Sequence, residues 1–212
     1  DFTKTLAITD DKIEKLLKNT IKQKLIEFYY HEQTGTFKRK WFEVEDLNKI
    51  SDCKLIVGES GSGKTTLFKQ IANNIIYENS IRNDYEFYPI LIKFTDLKIS
   101  DFNVKNSIFS YFDNETFRDF NFKINNLLDK GKYILFIDAL DELGNKNDKD
   151  KALKAVNQFH EENPNIQIIC SSRNSDSLLG TCRDLDFKYF EINGISIQQA
   201  ETFLGRYFDD NE

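Results

Sequence analysis

The sequence predicts an α/β fold in which helices cover both faces of a parallel β-sheet. Short apolar runs alternate along the chain with segments whose apolar residues recur at helical spacing, which is the order that parallel sheets require. The run YILFI, residues 133–137, is apolar throughout, as strands buried on both faces of a sheet are. With 212 residues, 40% of them hydrophobic, the chain can bury a substantial core.

Five strands and several helices follow from this patterning. Strands are predicted at CKLIVG (53–58), YPILIKF (88–94), YILFID (133–138), IQIICSS (166–172) and KYFEING (188–194). Helices are predicted at about 10–30, 64–77, 149–162 and from 196 onward, as two short pieces within 102–122, and in a segment closed by Gly131. Asp148 is expected to cap the helix from 149, and Ser196 with Gln199 to form a capping box. Residues 31–47 are predicted to be a loop with a short extended piece.

Composition excludes several classes of protein. A net charge of -6 argues against a domain that grips DNA or RNA by its phosphates, and we predict no direct nucleic-acid binding. The one local basic patch, FKRK at 37–40, is interpreted as a solvated loop. No apolar run is long enough to span a membrane, and no secretory leader is visible. Because there is no methionine, we expect an excised piece of a longer protein.

The cysteines and histidines offer no metal or disulfide framework. The three cysteines, Cys53, Cys170 and Cys182, are widely spaced, which is typical of reduced core thiols in a cytoplasmic protein. The two histidines, His31 and His160, have no carboxylate or cysteine at ligand spacing.

A phosphate-binding loop is the strongest motif. GESGSGKT, residues 58–65, fits G-x-x-x-x-G-K-[ST] between a predicted strand and a predicted helix. The glycines let successive N–H groups point at phosphate oxygens, and the helix N-terminus adds its positive end. Lys64 would reach the β- and γ-phosphates, and the Thr65 hydroxyl would ligate Mg²⁺. The predicted binding residues are Gly58, Glu59, Ser60, Gly61, Ser62, Gly63, Lys64, Thr65 and Thr66.

An acidic cluster ends the strand YILFID. Asp138 follows the apolar run, so it should emerge at the carboxyl edge of the sheet, where it can support the metal with Thr65. Three residues later, Asp141 or Glu142 could hold a water molecule for in-line attack on the γ-phosphate. The alternative is an acidic helix start favoured by the helix dipole. DELG and NKND, residues 141–148, resemble the boxes of GTPases, but they abut and no apolar strand precedes Asn145, so we interpret the likeness as coincidence.

The polar end of the fourth predicted strand completes the candidate site. IQIICSSR ends in Ser171, Ser172 and Arg173, which would face the γ-phosphate if this strand lies between the first and third strands. An arginine there could distinguish ATP from ADP, because only ATP carries the terminal charge. A surface arginine at a strand end is the alternative.

Three segments together resemble the NACHT family of the STAND class of signalling ATPases. They are GESGSGKTTL (58–67), YILFIDALDEL (133–143) and IICSSR (168–173); the most specific is the aspartate followed by a small residue, an apolar residue and an acidic pair. YPILIKFTDL (88–97) and GISIQQAETFLGRYF (194–208) are also similar to the second strand and the start of the helical subdomain. The resemblance covers about residues 50–208.

The resemblance implies a P-loop NTPase three-layer sandwich with a five-stranded parallel sheet in the order 5-1-4-3-2. It divides the chain into an N-terminal helix and linker (1–50), the nucleotide-binding core (51–195) and the truncated start of a helical subdomain (196–212). It implies a weak, Mg²⁺-dependent ATPase that binds ATP and ADP and switches oligomerisation in signalling. Bacterial members are associated with defence against phage, and a bacterial source is expected here.

Departures from the family pattern limit these expectations. The winged-helix part, which supplies a nucleotide-contacting histidine in the family, is not in this sequence, and effector and sensor domains are expected outside it. No motif assigns the adenine contacts; Trp41 and Phe42 are candidates, with core packing as the alternative. Two other functions stay open: a P-loop kinase, although NSDSLLGTCRDLDF (174–187) offers only Arg183 for a lid, and a nucleotide-gated binding module without hydrolysis.

Overall fold

The fold is described from a computed structural model, for residues 23–82, 87–112, 133–194 and 197–202. The predictions for residues 1–22, for 113–122, for the helix closed by Gly131 and for the capping residue Ser196 lie outside the described residues. Within the described part, no helix is long and apolar enough to cross a membrane.

The described strands form one mostly parallel sheet. They are β1 (Lys24–His31), β2 (Thr36–Glu43), β3 (Lys54–Val57), β4 (Tyr88–Lys93), β5 (Tyr133–Asp138), β6 (Gln167–Ser172) and β7 (Lys188–Ile192). Their order across the sheet is β2-β1-β7-β3-β6-β5-β4. The pairs β7–β3, β3–β6, β6–β5 and β5–β4 are parallel, so the five predicted strands exist and the strand ending in Arg173 lies beside the phosphate-loop strand.

The described sheet has more strands than predicted, although its five parallel strands, β7-β3-β6-β5-β4, lie in the predicted order 5-1-4-3-2. The sheet has seven strands, because β1 and β2 form an antiparallel hairpin and β1 adds antiparallel to β7. The helix predicted for 10–30 is therefore wrong over 24–30, and the predicted loop at 31–47 contains a full strand. In β1, Leu25 and Glu27 are buried on one face, while Ile26 between them is only half-buried. Pairing with β7 outweighed the helical spacing of the apolar residues.

The helices bury the two faces of the sheet unequally. They are α1 (Lys64–Arg82), α2 (Phe94–Ile99), α3 (Val104–Phe112), α4 (Lys146–Glu162) and α5 (Asp176–Asp184), with 3₁₀ turns at Val44–Lys49 and Leu140–Glu142. Residues 197–202 are also helical. Along β3, Leu55 and Val57 join a core that includes residues of α2 to α5, whereas Ile56 joins a core with α1. Helices therefore lie on both faces, as predicted.

The start of α4 differs from the prediction. Asn145, not Asp148, is the N-cap, and its side-chain oxygen accepts the Asp148 N–H at 2.8 Å. The Asp148 carboxylate pairs with Lys98 Nζ at 2.7 Å. The NKND segment thus begins a helix and pairs with α2. This structural role agrees with the interpretation of NKND as a chance match to a GTPase box.

Candidate nucleotide-binding site

The phosphate loop joins the most buried strand to the longest described helix. All four residues of β3 are buried, and the chain leaves it at Gly58 and enters α1 at Lys64. Gly61 and Gly63 have φ angles of 77° and 92°, which side chains other than glycine rarely adopt. A Cβ at Gly58 would lie 2.6 Å from Ser62 Oγ. Gly61 and Gly63 are thus required by their left-handed backbone conformation, and Gly58 by the close approach of the Ser62 side chain. Glu59, Ser60 and Ser62 lie within this loop, and Lys64, Thr65 and Thr66 form the first turn of α1.

Lys64 lies back across the loop. Its Nζ donates to the carbonyl oxygens of Gly58 at 2.7 Å and Glu59 at 2.9 Å. Burial lowers the pKa of this lysine, and the nearby carboxylates of Asp141 and Asp138 oppose the shift. The ammonium group is thus held between the loop and the acidic strand end, which is where a nucleotide phosphate chain would bind.

Asp138 connects the phosphate loop to two neighbouring strands. It ends β5, is only 7% exposed, and its Oδ2 accepts the Thr65 hydroxyl at 2.6 Å. The hydroxyl of Ser171, at the end of β6, donates to Asp138 Oδ1. The two predicted metal ligands, Thr65 and Asp138, are thus brought together, and Ser171 orients the carboxylate.

A left-handed residue turns the chain after Asp138. Ala139 has φ 64° and ψ 53°, and its N–H donates to Ser171 Oγ at 2.9 Å. The next three residues form a 3₁₀ turn in which Leu140 is buried while Glu142 is exposed. The left-handed step lets Leu140 enter the core and leaves the acidic pair, Asp141 and Glu142, at the surface of the site.

The two predicted catalytic acids have different surroundings. Asp141 accepts the Arg173 backbone N–H at 3.1 Å and pairs with its Nε at 2.9 Å. Among the described residues, the structure records no such partner for the exposed Glu142. Arg173 lies directly after β6, so the site brings it together with Asp141, as the strand order allows.

Gln23 is a site residue that sequence reasoning missed. It is 9% exposed, and its Nε2 donates to the Ser62 carbonyl oxygen at 3.1 Å. A Cβ at Gly63 would lie 2.4 Å from that Nε2, so the amide packs directly on the phosphate loop. Gln23 reaches the loop because β1 runs antiparallel to β7, which places the start of β1 at the carboxyl edge of the parallel strands. No motif marks it, since only the pairing of β1 positions it.

The candidate adenine-contacting residues are placed on the hairpin. Phe42 packs against Phe190 with ring centroids 5.0 Å apart, which is a core contact. Trp41 is 61% exposed on the opposite face of β2. Core packing, the favoured alternative, therefore applies to Phe42 and not to Trp41.

The whole nucleotide-binding core matches one known family. The model of the NACHT domain matches residues 52–211. The chain belongs to the NACHT domain family. No curated protein matches the chain.

Several solved structures are similar to this chain at low sequence identity. The chain is similar to C. elegans PCH-2 (19% identity, TM-score 0.41, covering 72% of this chain and 40% of that one). It is similar to a DNA replication initiation factor (16%, TM-score 0.48, 78% and 48%). It is also similar to domain III of the Thermotoga maritima replication initiation protein DnaA (18%, TM-score 0.45, 79% and 66%). The match spans less than half the length of the first two proteins.

Family membership confirms the coarse expectations. This NACHT chain has a P-loop NTPase fold, with a seven-stranded, mostly parallel sheet and helices on both faces, and it is a nucleotide-binding NTPase module. NACHT and other P-loop NTPases typically bind their nucleotide with Mg²⁺. The roles of single residues stay predictions.

Proposed function

We propose that this chain binds ATP and hydrolyses it slowly, as a NACHT module whose nucleotide state switches oligomerisation in signalling or anti-phage defence. The observation that carries the proposal is the hydrogen bond between Thr65 and Asp138, because it unites the phosphate-loop helix with the acidic end of β5. In a P-loop NTPase these are the positions from which a hydroxyl and a carboxylate hold the metal beside the phosphates.

The residues present fit Mg²⁺. Thr65 Oγ1 and the Asp138 carboxylate are hard oxygen donors in direct contact, and Ser171 fixes the carboxylate from its other oxygen. Mg²⁺, when bound, would neutralise charge on the phosphates. Lys64 would then bind phosphate oxygens in place of the loop carbonyls that it contacts now.

We assign water positioning to Glu142. Asp141 already accepts two hydrogen bonds from Arg173, whereas Glu142 is exposed and adjacent. A carboxylate without a fixed cation is better suited to accept a proton from water. Asp141 would instead hold Arg173 at the edge of the site.

Arg173 supports a switch more than a fast enzyme. Its guanidinium is 63% exposed and bound to Asp141, so it is not fixed by packing. A γ-phosphate would compete with Asp141 for the same cation, and ADP would not. Because the competing pair must break, occupancy by ATP changes the loop after β6, and subunits could sense that change.

The cysteines support a reducing, cytoplasmic location. Cys53, Cys170 and Cys182 are all free and buried. Burial raises the pKa of Cys53 and of Cys182 to about 12, so neither is a reactive thiolate. These are the properties of core thiols that the redox compartment keeps reduced.

Calorimetric titration of the purified chain with ATP, ADP and GTP tests the nucleotide assignment. We expect ATP and ADP to bind in the presence of Mg²⁺, Lys64→Ala to abolish binding, and Lys154→Ala, an exposed lysine of α4, to bind as the wild type does. Tighter binding of GTP than of ATP would refute the adenine preference.

Phosphate release tests ATP hydrolysis and the role of Glu142, and particle mass tests the oligomerisation switch. We expect slow release of inorganic phosphate that Glu142→Gln abolishes without loss of ATP binding. Unchanged release in Glu142→Gln would refute the water assignment, and phosphate found only on an added small molecule would favour the kinase. Light scattering of the protein with ATP and with ADP tests the oligomerisation switch, and equal masses would refute it.

A further inference from the structure

One exposed face of the β1–β2 hairpin carries aromatic side chains and an arginine next to one another. In the β1–β2 pairing, Tyr30 lies opposite Phe37 and Phe28 opposite Arg39, with Trp41 two residues further along β2. Since alternate residues of a strand share a face, Phe37, Arg39 and Trp41 project together. We call Tyr30, Phe37, Arg39 and Trp41 the hairpin face. β2 lies at one edge of the described sheet, and β4 lies at the other.

The hairpin face is unusually exposed for its composition. Trp41 is 61% exposed, Tyr30 40% and Phe37 36%. The rings of Tyr30 and Phe37 pack edge to face with centroids 5.3 Å apart, which holds one end of the face rigid. Large exposed aromatic groups next to one another mark binding surfaces, whereas single ones do not.

Two arginines lie on or beside these rings. Arg39 projects from the hairpin face, and the Arg183 guanidinium lies 5.5 Å from the centre of the Tyr30 ring. Lys38 and Lys40, the sequence neighbours of Arg39, project from the opposite face of β2. Arg183 is paired with Asp184 at 2.8 Å, and within the described part of the chain no carboxylate pairs with Arg39. A ligand of this face therefore meets the uncompensated charge of Arg39, although the whole chain is acidic.

Protection of an edge strand explains only part of this pattern. Lysines on an edge strand discourage pairing with another strand, and KRK serves that purpose. Exposed Phe37 and Trp41 work against it, because they add apolar area to the same edge. A second copy paired antiparallel about Arg39 would set Arg39 against Arg39 and Lys38 against Lys40, and like charges directly opposite repel. The side chains of β2 thus fit neither protection of the edge strand nor pairing with a second copy of the chain.

We propose that the hairpin face binds single-stranded nucleic acid. Residues two apart on a strand are about 6.8 Å apart, and stacked bases are about 3.4 Å apart, so one flat base fits between neighbouring planar groups. Bases stack on Phe37, Trp41 and the Arg39 guanidinium, while the phosphates meet the charge of Arg39 and Arg183. Net charge had predicted no nucleic-acid partner, but it averages over the surface and does not report a local face.

The single tryptophan of the chain provides a direct probe. The purified chain is titrated with a fluorescein-labelled twelve-residue oligothymidylate while Trp41 emission and oligonucleotide anisotropy are followed. We expect saturable quenching and a matching rise in anisotropy, both weakened by salt. Arg39→Ala and Phe37→Ala should each weaken binding about tenfold, on the order of one stacked base. Trp41→Phe should lose the emission signal but keep the anisotropy change.

Matched controls separate this site from the phosphate loop and from general attraction. Lys154→Ala and Lys64→Ala should bind the oligonucleotide as the wild type does, and every variant should melt within a few degrees of it. Equal weakening by Lys154→Ala or Lys64→Ala would overturn the proposal. So would absence of quenching at ~100 μM protein, near the weak end of non-specific binding. A dimer that Trp41→Ala abolishes, with no oligonucleotide bound, would identify a second copy as the partner instead.

Discussion

Arg173 binds one carboxylate twice, with its backbone N–H on Oδ1 of Asp141 at 3.1 Å and its guanidinium Nε on Oδ2 at 2.9 Å. The pair joins the end of β6 to the 3₁₀ turn after β5, two segments that are adjacent because β5 and β6 pair in parallel. Asp141 is 19% exposed and Arg173 63%, so the contact lies at the rim of the site. An ion pair at the rim contributes little to stability, so its main effect is to fix the position of the Arg173 guanidinium.

Asp141→Asn should favour ATP over ADP. The amide keeps the shape of the carboxylate but loses its charge, so the Arg173 guanidinium becomes available to a γ-phosphate. We expect the ratio of ATP to ADP affinity to rise about threefold to tenfold, the size of one typical net hydrogen bond. Calorimetric titration with both nucleotides measures it.

Arg173→Ala is the matched control for that change. It should lower the ratio of ATP to ADP affinity, and Asp141→Asn should then have no further effect in the Arg173→Ala background. If Asp141→Asn weakened ATP and ADP equally, Asp141 would belong to the metal site and the competition would be refuted.

Asp138→Asn should remove the metal dependence of nucleotide binding. The amide oxygen can accept one of the two hydroxyls of Thr65 and Ser171, and the amide NH₂ can donate to the other, so the fold should persist, but a neutral group holds Mg²⁺ poorly. ATP affinity is measured with Mg²⁺ and with excess EDTA. We expect EDTA to weaken ATP binding in the wild type and in the control Glu45→Gln, and to change little in Asp138→Asn. An equal EDTA effect in Asp138→Asn would contradict the ligand assignment.

Gln23→Glu should impair nucleotide binding more than Gln23→Leu does. Both lose the hydrogen bond to the Ser62 carbonyl oxygen, which stabilises the loop by about 1 kcal/mol. Only the glutamate adds negative charge beside the phosphates. We expect similar melting temperatures for the two variants without nucleotide, but several-fold weaker ATP binding for Gln23→Glu. Equal affinities would limit Gln23 to a packing role; Lys24→Ala, at the exposed next residue, is the control.

Lys54 should make stability rise with pH between about 8 and 9. It is fully buried in β3, its Nζ has no hydrogen-bond partner among the described residues, and burial lowers its pKa from 10.5 to about 8. Above the lower value the folded lysine has lost its proton while the unfolded one still holds it. The unfolded state then binds more protons, so the free energy of unfolding rises by up to about 1.4 kcal/mol per pH unit.

The buried thiols oppose that rise. Because burial raises the pKa of Cys53 and Cys182 from 9.0 to about 12, the unfolded thiols lose protons as the pH approaches 9 while the folded thiols keep theirs, which lowers the free energy of unfolding. Denaturant unfolding of the wild type and of Lys54→Met at pH 7, 8 and 9 isolates the lysine, because both proteins carry the same thiols. Lys54→Met should be more stable than the wild type at pH 7, and its advantage should shrink by about 1 kcal/mol between pH 8 and 9. An advantage that stays constant with pH would show that Lys54 does not titrate in this range.

The parts of the site that could be predicted from sequence are those built from short, contiguous segments. Gly58 to Thr65 dictate their own loop, because the glycines, the lysine and the helix start all lie within eight residues. Asp138 was predictable in the same way, since a fully apolar strand must end at the edge of the sheet where a carboxylate can be solvated. The adjacency of Thr65 and Asp138 follows from these two local facts and the parallel sheet.

The parts that were missed depend on pairing between distant segments. The apolar residues of β1 fit a helix as well as a strand, and only the register with β2 and β7 decides between them. Gln23 reaches Ser62 across 39 residues of sequence as a consequence of that register. The binding of Arg173 to Asp141 required both the strand order and the left-handed step at Ala139, and no local pattern encodes either.

Ala139 has a consequence for sequence variation in this site. A non-glycine residue at φ 64° costs about 1–2 kcal/mol, and here it is held by Ser171 and by the burial of Leu140. Glycine would relieve the cost, asparagine would tolerate it, and a β-branched residue would make it larger. The residue after the metal carboxylate therefore narrows the set of sequences that can place Glu142 at the surface, and mutational tolerance at 139 should be lower than its small, half-buried side chain suggests.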